Sequence, residues 1–96
     1  MPHTLAIHQA KDYTVWKSAF QRAESIAARK AAGEKSYMLL HTIDDPNKFV
    51  LFNEWEDMTR LQEFMQSETL HKLQAESDVV GKPEIYIFED VEQGSV

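Results

Sequence analysis

The sequence predicts an α+β fold, a four-stranded antiparallel sheet with helices on one face, and three observations carry it. Four short apolar runs rich in branched and aromatic residues occur at 4–9, 36–43, 48–55 and 84–91, each the length of a strand. Two segments between them repeat apolar residues at steps of three and four, the period of a helix. The resulting order is β-α-β-β-α-β, the ferredoxin-like split βαβ arrangement. Its crossovers are right-handed. The compact solution places the first and third strands in the centre and both helical segments on one face.

Each element has its own justification. TLAIHQ at 4–9 is the first strand. Asp12 is placed to cap the next helix, because its carboxylate can accept from free backbone N–H groups. Tyr13, Trp16, Phe20, Ala23 and Ala27 then form one helical stripe, widened by Ala19 and Ile26. Lys17, Gln21, Glu24 and Arg29 populate the opposite side. Gly33 supplies the stop, since it can adopt positive φ. SYMLLHTI at 36–43 and KFVLFNEW at 48–55 are strands joined by the turn residues DDPN, which makes them an antiparallel hairpin. Asp57 caps a helix whose inward side is Met58, Leu61, Phe64 and Met65. Ser67 reads as a fresh cap before Leu70 and Leu73, so this region is two short helices or one broken helix. Gly81 and Pro83 end it, and EIYIFEDV at 84–91 is the last strand. The tail EQGSV is expected to fray.

The strands carry a further expectation. With 44–47 as the loop, Thr42, Leu40 and Met38 pair with Phe49, Leu51 and Asn53 on one face, while His41, Leu39 and Tyr37 pair with Val50, Phe52 and Glu54 on the other. Both faces are largely apolar, and Ile85 and Ile87 alternate with Tyr86 and Phe88 in the last strand. An antiparallel sheet with one wet face alternates more cleanly. Helices cover one side only, so a homodimer through the β-sheets is expected. A monomer whose sheet curls over a small core is the alternative.

Composition narrows the partners. The 96 residues suffice for one domain with one modest core, and no linker or low-complexity segment divides 1–96. The chain is 43% hydrophobic and 27% charged, an ordinary globular balance. Sixteen acids against 10 bases give a net charge of −6, which argues against nucleic acid. Arg29, Lys30 and Lys35 are too few to form a basic patch. No apolar run has the length of a membrane span, and the N-terminus lacks the pattern of a secretory signal, so cytoplasmic residence is the expectation. Absence of cysteine removes disulfides, thiol catalysis and thiolate metal sites. No zinc motif, phosphate cradle or dinucleotide fingerprint is present. Ser18, Ser25, Ser36, Ser67 and Ser77 sit in no nucleophile elbow.

Four stretches carry a family resemblance: DYTVWKSAF after the first strand, then DDPNKFVLFNEWED, LQEFMQSETLHK and VVGKPEIYIFE. In that order, over nearly the whole chain, they resemble the dimeric α+β-barrel superfamily, close to the antibiotic-biosynthesis-monooxygenase-like proteins. The resemblance implies a ligand between the sheet and the helices of each subunit. It does not fix the chemistry, because the superfamily also holds haem-degrading enzymes, polyketide cyclases and stress-linked proteins. Cofactor-free quinone-forming members combine an Asn, a Trp and a Tyr. Haem-degrading members use a helical His, an Asn on the first strand and a Trp near the end of the third. Trp55 fits that Trp and His71 loosely fits the helical His. His8 stands where the haem degraders have Asn.

The candidate residues follow. His8, at the end of the first strand, could act as a general base or a donor to a bound phenol; otherwise it bonds a loop carbonyl. His41 shares a face with Val50 and Phe52 in this register and looks toward the dimer side. Trp16, Phe20, Trp55 and Phe64 are core by spacing, or the walls of a site. Asn53, on the helix-facing side beside Trp55, would be costly if buried without a partner. Glu54 points the opposite way. The leading reading is a cofactor-independent monooxygenase or cyclase acting on an aromatic or polyketide-like substrate. His8 and Asn53 are its catalytic pair, with Trp16, Phe20, Trp55, Phe64 and His71 binding substrate, and neither metal nor cofactor. The alternative is a non-catalytic ligand-binding or interaction protein. A third reading is haem binding through His71.

Overall fold

The structure is a computed structural model, and it describes residues 1–76 and 79–96. Ser77 lies outside the described residues. The chain runs β1 (His3–Gln9), α1 (Tyr13–Phe20), α2 (Ala23–Ala31), β2 (Glu34–His41), β3 (Lys48–Trp55), α3 (Met58–Met65), α4 (Glu68–Glu76) and β4 (Glu84–Phe88). One antiparallel sheet has the order β2-β3-β1-β4, so β1 and β3 are central as the split βαβ pattern requires. The last strand is shorter than expected, ending at Phe88 rather than at 91.

The first helical segment is two helices, not one. Arg22 is extended, with φ −62° and ψ 146°, and the helix restarts at Ala23. Phe20 and Trp16 are buried in α1, but in α2 the buried residues are Ser25 and Arg29. Ala23, Ala27 and Ile26 are exposed. The break explains the correction to the helical stripe. A continuous helix would bond the Phe20 carbonyl to the amide four residues on. With the turn opened at Arg22, that buried carbonyl instead accepts from Arg29 Nη2 at 3.1 Å. Arg29 is thereby drawn inward, although steps of three and four place it outside.

Gly33 closes α2 with φ 94°, and a Cβ there would meet the Arg60 guanidinium at 3.3 Å. In the second helical segment Asp57 accepts from the Arg60 amide at 2.7 Å and Ser67 Oγ accepts from the Leu70 amide at 3.1 Å, so both caps are made.

The hairpin register differs by one residue from the expectation. His41 pairs with Phe49, Leu39 with Leu51 and Tyr37 with Asn53. The turn begins earlier than DDPN: Thr42 Oγ1 donates to the Asp45 carbonyl at 2.7 Å and accepts from its amide at 3.1 Å. The strand therefore ends at His41. A one-residue slip exchanges the faces of every side chain. His41, Leu39 and Tyr37 lie on the helix side, and Met38 and Leu40 lie outside. His41 consequently looks toward Tyr13 of α1, ring centroids 6.3 Å apart, and not toward the outer face.

The register then shifts again. Glu34 pairs with Trp55 and Ser36 with Glu54, leaving Lys35 as an extra residue in a β-bulge. Bulges re-aim side chains. Here the bulge returns Glu34 to the helix side, where plain alternation would have turned it out.

Two aromatic clusters fill the space under the helices. One joins Ala10, Trp16, Phe20 and Phe49, and the other Trp55, Leu61 and Phe64. The outer face carries Leu5, Ile7, Val50 and Phe52 in the centre, with Met38, Leu40, Tyr86 and Phe88 on the flanking strands. Those four flanking residues are 44–55% exposed.

Candidate functional site

Between the two aromatic clusters lies a cavity of about 240 Å³. Its walls include Trp16, Phe20, Leu51, Trp55 and Phe64, and its polar lining includes Thr4, His8, Arg29 and Asn53. The connection from α4 to β4 closes one side through Val79, Lys82 and Pro83. It is held by a bond from the Val80 amide to the Gln9 carbonyl at 2.6 Å. Apolar walls with a few convergent polar groups are the usual form of a small-molecule site, and the volume lies just below the roughly 300–1,000 Å³ typical of drug-sized ligands.

At one end the polar groups form a single directed chain. Trp55 Nε1 donates to Thr4 Oγ1 at 2.9 Å. Thr4 Oγ1 donates to Asn53 Oδ1 at 3.3 Å. Asn53 Nδ2 donates to Glu34 Oε1 at 3.1 Å, and Arg29 Nη1 reaches the same oxygen at 3.2 Å. Chemistry fixes every direction. An indole can only donate, and an ionised carboxylate can only accept. The amide of Asn53 therefore turns its nitrogen to Glu34 and its oxygen to Thr4. One Asn53 N–H is left with no acceptor among the described residues.

Arg29 anchors this end. Its guanidinium lies 3.6 Å from the centre of the Phe20 ring, and Tyr37 stands beyond at 5.6 Å. Three of its five N–H groups go to the Ser25 carbonyl, the Phe20 carbonyl and Glu34. Burial pulls the Arg29 pKa down and pushes the Glu34 carboxyl up. For each group burial outweighs the attraction of the other, and for Glu34 it also outweighs the Asn53 bond. Glu34 Oε2 is buried without a partner.

His8 defines the other end. It is 8% exposed, stacked on Phe49 at 5.2 Å and close to Trp16 at 5.6 Å. Burial among these rings pulls its pKa down to about 4, so the imidazole is neutral at pH 7, and Nδ1 has no hydrogen-bond partner. His8 pairs with Phe49 and Thr4 with Asn53, four residues apart on the same two strands. The two polar ends are thus about 13 Å apart along the backbone.

The cavity brings together His8, Trp16, Phe20, Asn53, Trp55 and Phe64. It does not include His71, which is exposed on α4, because Leu70 and Leu73 take the inward side of that helix. No tyrosine is among its lining residues. Sequence reasoning missed Thr4, Arg29 and Glu34. The alternation of Thr4, Ala6 and His8 in β1 was signal enough for the first. The other two depend on the helix break and the bulge, which leave no mark in a hydrophobic pattern. Among the described residues there is no group of three or more His, Asp or Glu side chains able to hold a metal ion. No helix among them is long and apolar enough to cross a membrane.

A split βαβ sheet with a ring-walled cavity beneath its helices defines a class: a small α+β protein with room for a small organic molecule. Residues 7–76 match the family model described as antibiotic biosynthesis monooxygenase, and the chain belongs to that family. Solved structures share the fold at low identity. A crystal structure of an antibiotic biosynthesis monooxygenase is 19% identical with a TM-score of 0.69, over 96% of this chain and 100% of that one. SnoaB, a cofactor-independent oxygenase from Streptomyces nogalater, is 18% identical with a TM-score of 0.71, over 96% and 94%. Rv0793 from Mycobacterium tuberculosis is 17% identical with a TM-score of 0.60, over 99% and 100%. No curated protein matches the chain.

Proposed function

We propose that this chain is a cofactor-independent enzyme that oxidises or cyclises an aromatic or polyketide-like substrate held in the cavity between sheet and helices. The observation that carries the reading is the directed chain from Trp55 to Glu34, which leaves one N–H of Asn53 unspent in a ring-walled cavity. A fixed donor of this kind stabilises an oxyanion without reorganising. The family and the oxygenase among its structural neighbours support it.

The geometry changes the part His8 can play. His8 and Asn53 are too far apart to act on one oxygen. They touch opposite ends of a ligand, so the ring system between them must be conjugated. A phenol or enol has this property: a proton leaving one end places negative charge at the other. His8, with a pKa of about 4, is always in its basic form at pH 7 but is a weak base. It suits a hydrogen-bond acceptor that orients the hydroxyl while Asn53 lowers the cost of the anion. Trp16, Phe20, Trp55 and Phe64 hold the rings. The proton passes to solvent, and the electron-rich anion then reacts with molecular oxygen. One oxygen atom becomes a new ring carbonyl, and the other leaves as water with the hydrogen of that carbon and a proton returned from solvent. Otherwise its carbanion form adds to a carbonyl of the same molecule and water is lost.

The second assignment is a homodimer through the outer faces of the sheets. Met38, Leu40, Tyr86 and Phe88, about half exposed, surround the apolar side chains of β1 and β3. A monomer seldom leaves so continuous an apolar surface in water. The mass by light scattering is expected to be that of two chains, and a one-chain mass at micromolar concentration removes the assignment.

The enzyme is tested by oxygen uptake and product formation with a panel of hydroxynaphthalenes and anthrones. Asn53→Ala is expected to lose turnover of any active compound while the protein stays folded. Full turnover in both Asn53→Ala and His8→Gln would falsify the mechanism. The low basicity of His8 favours a second reading, a binding protein without turnover, which predicts that panel members bind and are recovered unchanged.

A further inference from the structure

Among the described residues, the charge that lines the cavity is opposite to that of the chain. The sequence has 16 acids and a net charge of −6, yet no Asp or Glu is among the described residues that line the cavity. Arg29 and Lys82 are. Arg29 also lines an open groove on the outside of α2 and β2, together with Glu34, Lys30, Lys35 and Tyr37. Its side chain therefore forms the wall between the cavity and solvent. Two of its N–H groups have no acceptor among the described residues, by the same count that assigned three.

Among the described residues Glu34 is the only carboxylate set against Arg29, at 3.2 Å. It holds the guanidinium with one oxygen, while Oε2 is buried and bonded to nothing. A buried carboxylate oxygen without a donor is an expensive arrangement, and a proton on it removes most of the cost. The other charged or titratable groups nearby are Tyr37 on β2, Lys30 and Lys35 along the groove, and Arg60 of α3 against Gly33. Arg60 is itself paired with Glu56 at 3.2 Å, and the remaining charged groups among the described residues, Lys30 and Lys35, are cations, so a proton on Glu34 leaves this end of the cavity positive. Asn53 is neutral and donates to Glu34 from the other side.

We propose that the cavity selects an anionic ring compound, a carboxylate or a phenolate, whose charge rests on Arg29 while Glu34 takes up a proton from solvent on Oε2. The inference rests on the cavity being a ligand site, as the proposed function has it, and adds the charge of the ligand and the residue that answers it. The exchange balances. Before binding, Arg29 and Glu34 are a neutral pair; afterwards Arg29 is paired with the ligand anion and Glu34 is neutral. Burial already pushes the Glu34 carboxyl upward, so the uptake needs only the arrival of a competing anion. The proton enters by the groove that Glu34 lines.

The test is calorimetric, at pH 7, with 2-naphthoate and its neutral counterpart 2-naphthamide, each measured in two buffers of different ionisation enthalpy. Naphthoate is expected to bind at least about ten-fold more tightly than naphthamide. Its binding takes up about one proton, and that of naphthamide none. In Glu34→Gln the uptake disappears and naphthoate binds at least as tightly, because the internal competitor for Arg29 is gone. In Arg29→Met the two probes bind alike. Equal affinities in the unsubstituted protein overturn the charge preference and leave the cavity as a ligand site. Proton uptake that persists in Glu34→Gln overturns the role of Glu34. Binding of neither probe removes the ligand site and the inference together. Should Arg29→Met fail to fold, the two probes on the unsubstituted protein and on Glu34→Gln decide the matter alone.

Discussion

The two faces of the sheet are both rich in apolar side chains, but they treat polar groups in opposite ways. Under the helices Thr4, His8 and Asn53 are each at most 8% exposed. Thr4 and Asn53 are tied into one chain of hydrogen bonds with fixed directions. The outer face keeps its polar contacts to one end, where His3 lies between Glu54 at 3.4 Å and Asp90 at 3.0 Å, the two acids partly in solvent; its centre is Leu5, Ile7, Val50 and Phe52. Burying polar groups costs free energy unless they are paired; Thr4 and Asn53 are paired, and His8 Nδ1 is not. On the proposed function the difference separates a site from an interface, and substitutions on the two faces should then behave differently.

The largest effect should come from the closed face. Phe49 is fully buried and touches Trp16, His8 and Tyr13. Phe49→Ala is expected to cost about 3–5 kcal/mol in urea denaturation, the range for removing a buried aromatic. Phe52→Ala, three residues along the same strand, should cost less, and if its role is in the proposed dimer its loss should shrink on dilution, where the chains part. A Phe49→Ala protein as stable as the parent would mean that the aromatic cluster does not hold the fold.

The next effect is a dependence on pH from His8. Its pKa falls from the ordinary 6.5 to about 4 in the folded protein. Between those values the unfolded chain binds more protons than the native one, so stability is full above about pH 6.5 and is lost as the pH falls to about 4. The whole shift corresponds to about 3 kcal/mol. Glu34 works in the other sense: its raised carboxyl favours the protonated native state, so its contribution weakens as pH rises above its ordinary 4.5. Comparing His8→Gln with the parent at pH 7 and pH 4 isolates the histidine. Parallel losses in the two proteins would show that His8 is hydrated and not held among the rings.

Much of the fold was legible because it depends on period and punctuation. Lys48–Trp55 is bounded by turn residues and by Asp57, and both of its limits agree with the strand found. The sheet order follows from the sequence of elements alone. The hairpin register did not survive, because Thr42 uses its hydroxyl to close the turn two residues before DDPN. That one bond decides which face Tyr37, Leu39 and His41 occupy. The ring walls of the cavity were legible as stripes. Arg29 and Glu34 were not, since each is turned inward by a local departure from regular geometry, the opened turn at Arg22 and the bulge at Lys35. Periodicity describes regular elements, and at this site two residues owe their position to the places where regularity stops.

A smaller effect probes the hydrogen-bonded chain itself. Thr4→Val keeps the shape of the side chain and removes its oxygen. Trp55 Nε1 then has no acceptor and Asn53 Oδ1 loses its donor. A cost of about 1–3 kcal/mol is expected for leaving buried groups unpaired. Thr4→Ser restores the oxygen and should recover most of it. A Thr4→Val protein with unchanged stability would mean that water fills the gap, and that Asn53 is not oriented by its neighbours.

The smallest effect should lie on the outer face. Leu40 is 53% exposed and points away from the helices. In the single chain it gives up little contact when changed, so Leu40→Gln should alter the stability of dissociated protein by no more than about 0.5 kcal/mol, as surface changes do. In the proposed dimer the same substitution places an amide where the second sheet should meet an apolar side chain. The apparent stability should therefore fall only at concentrations where two chains associate, by mass action. A urea series repeated across a hundred-fold range of protein concentration, about the span needed to cross association, separates the two cases. A loss independent of concentration would make Leu40 part of the core of one chain, and the outer face would then be packed from within rather than covered by a second copy.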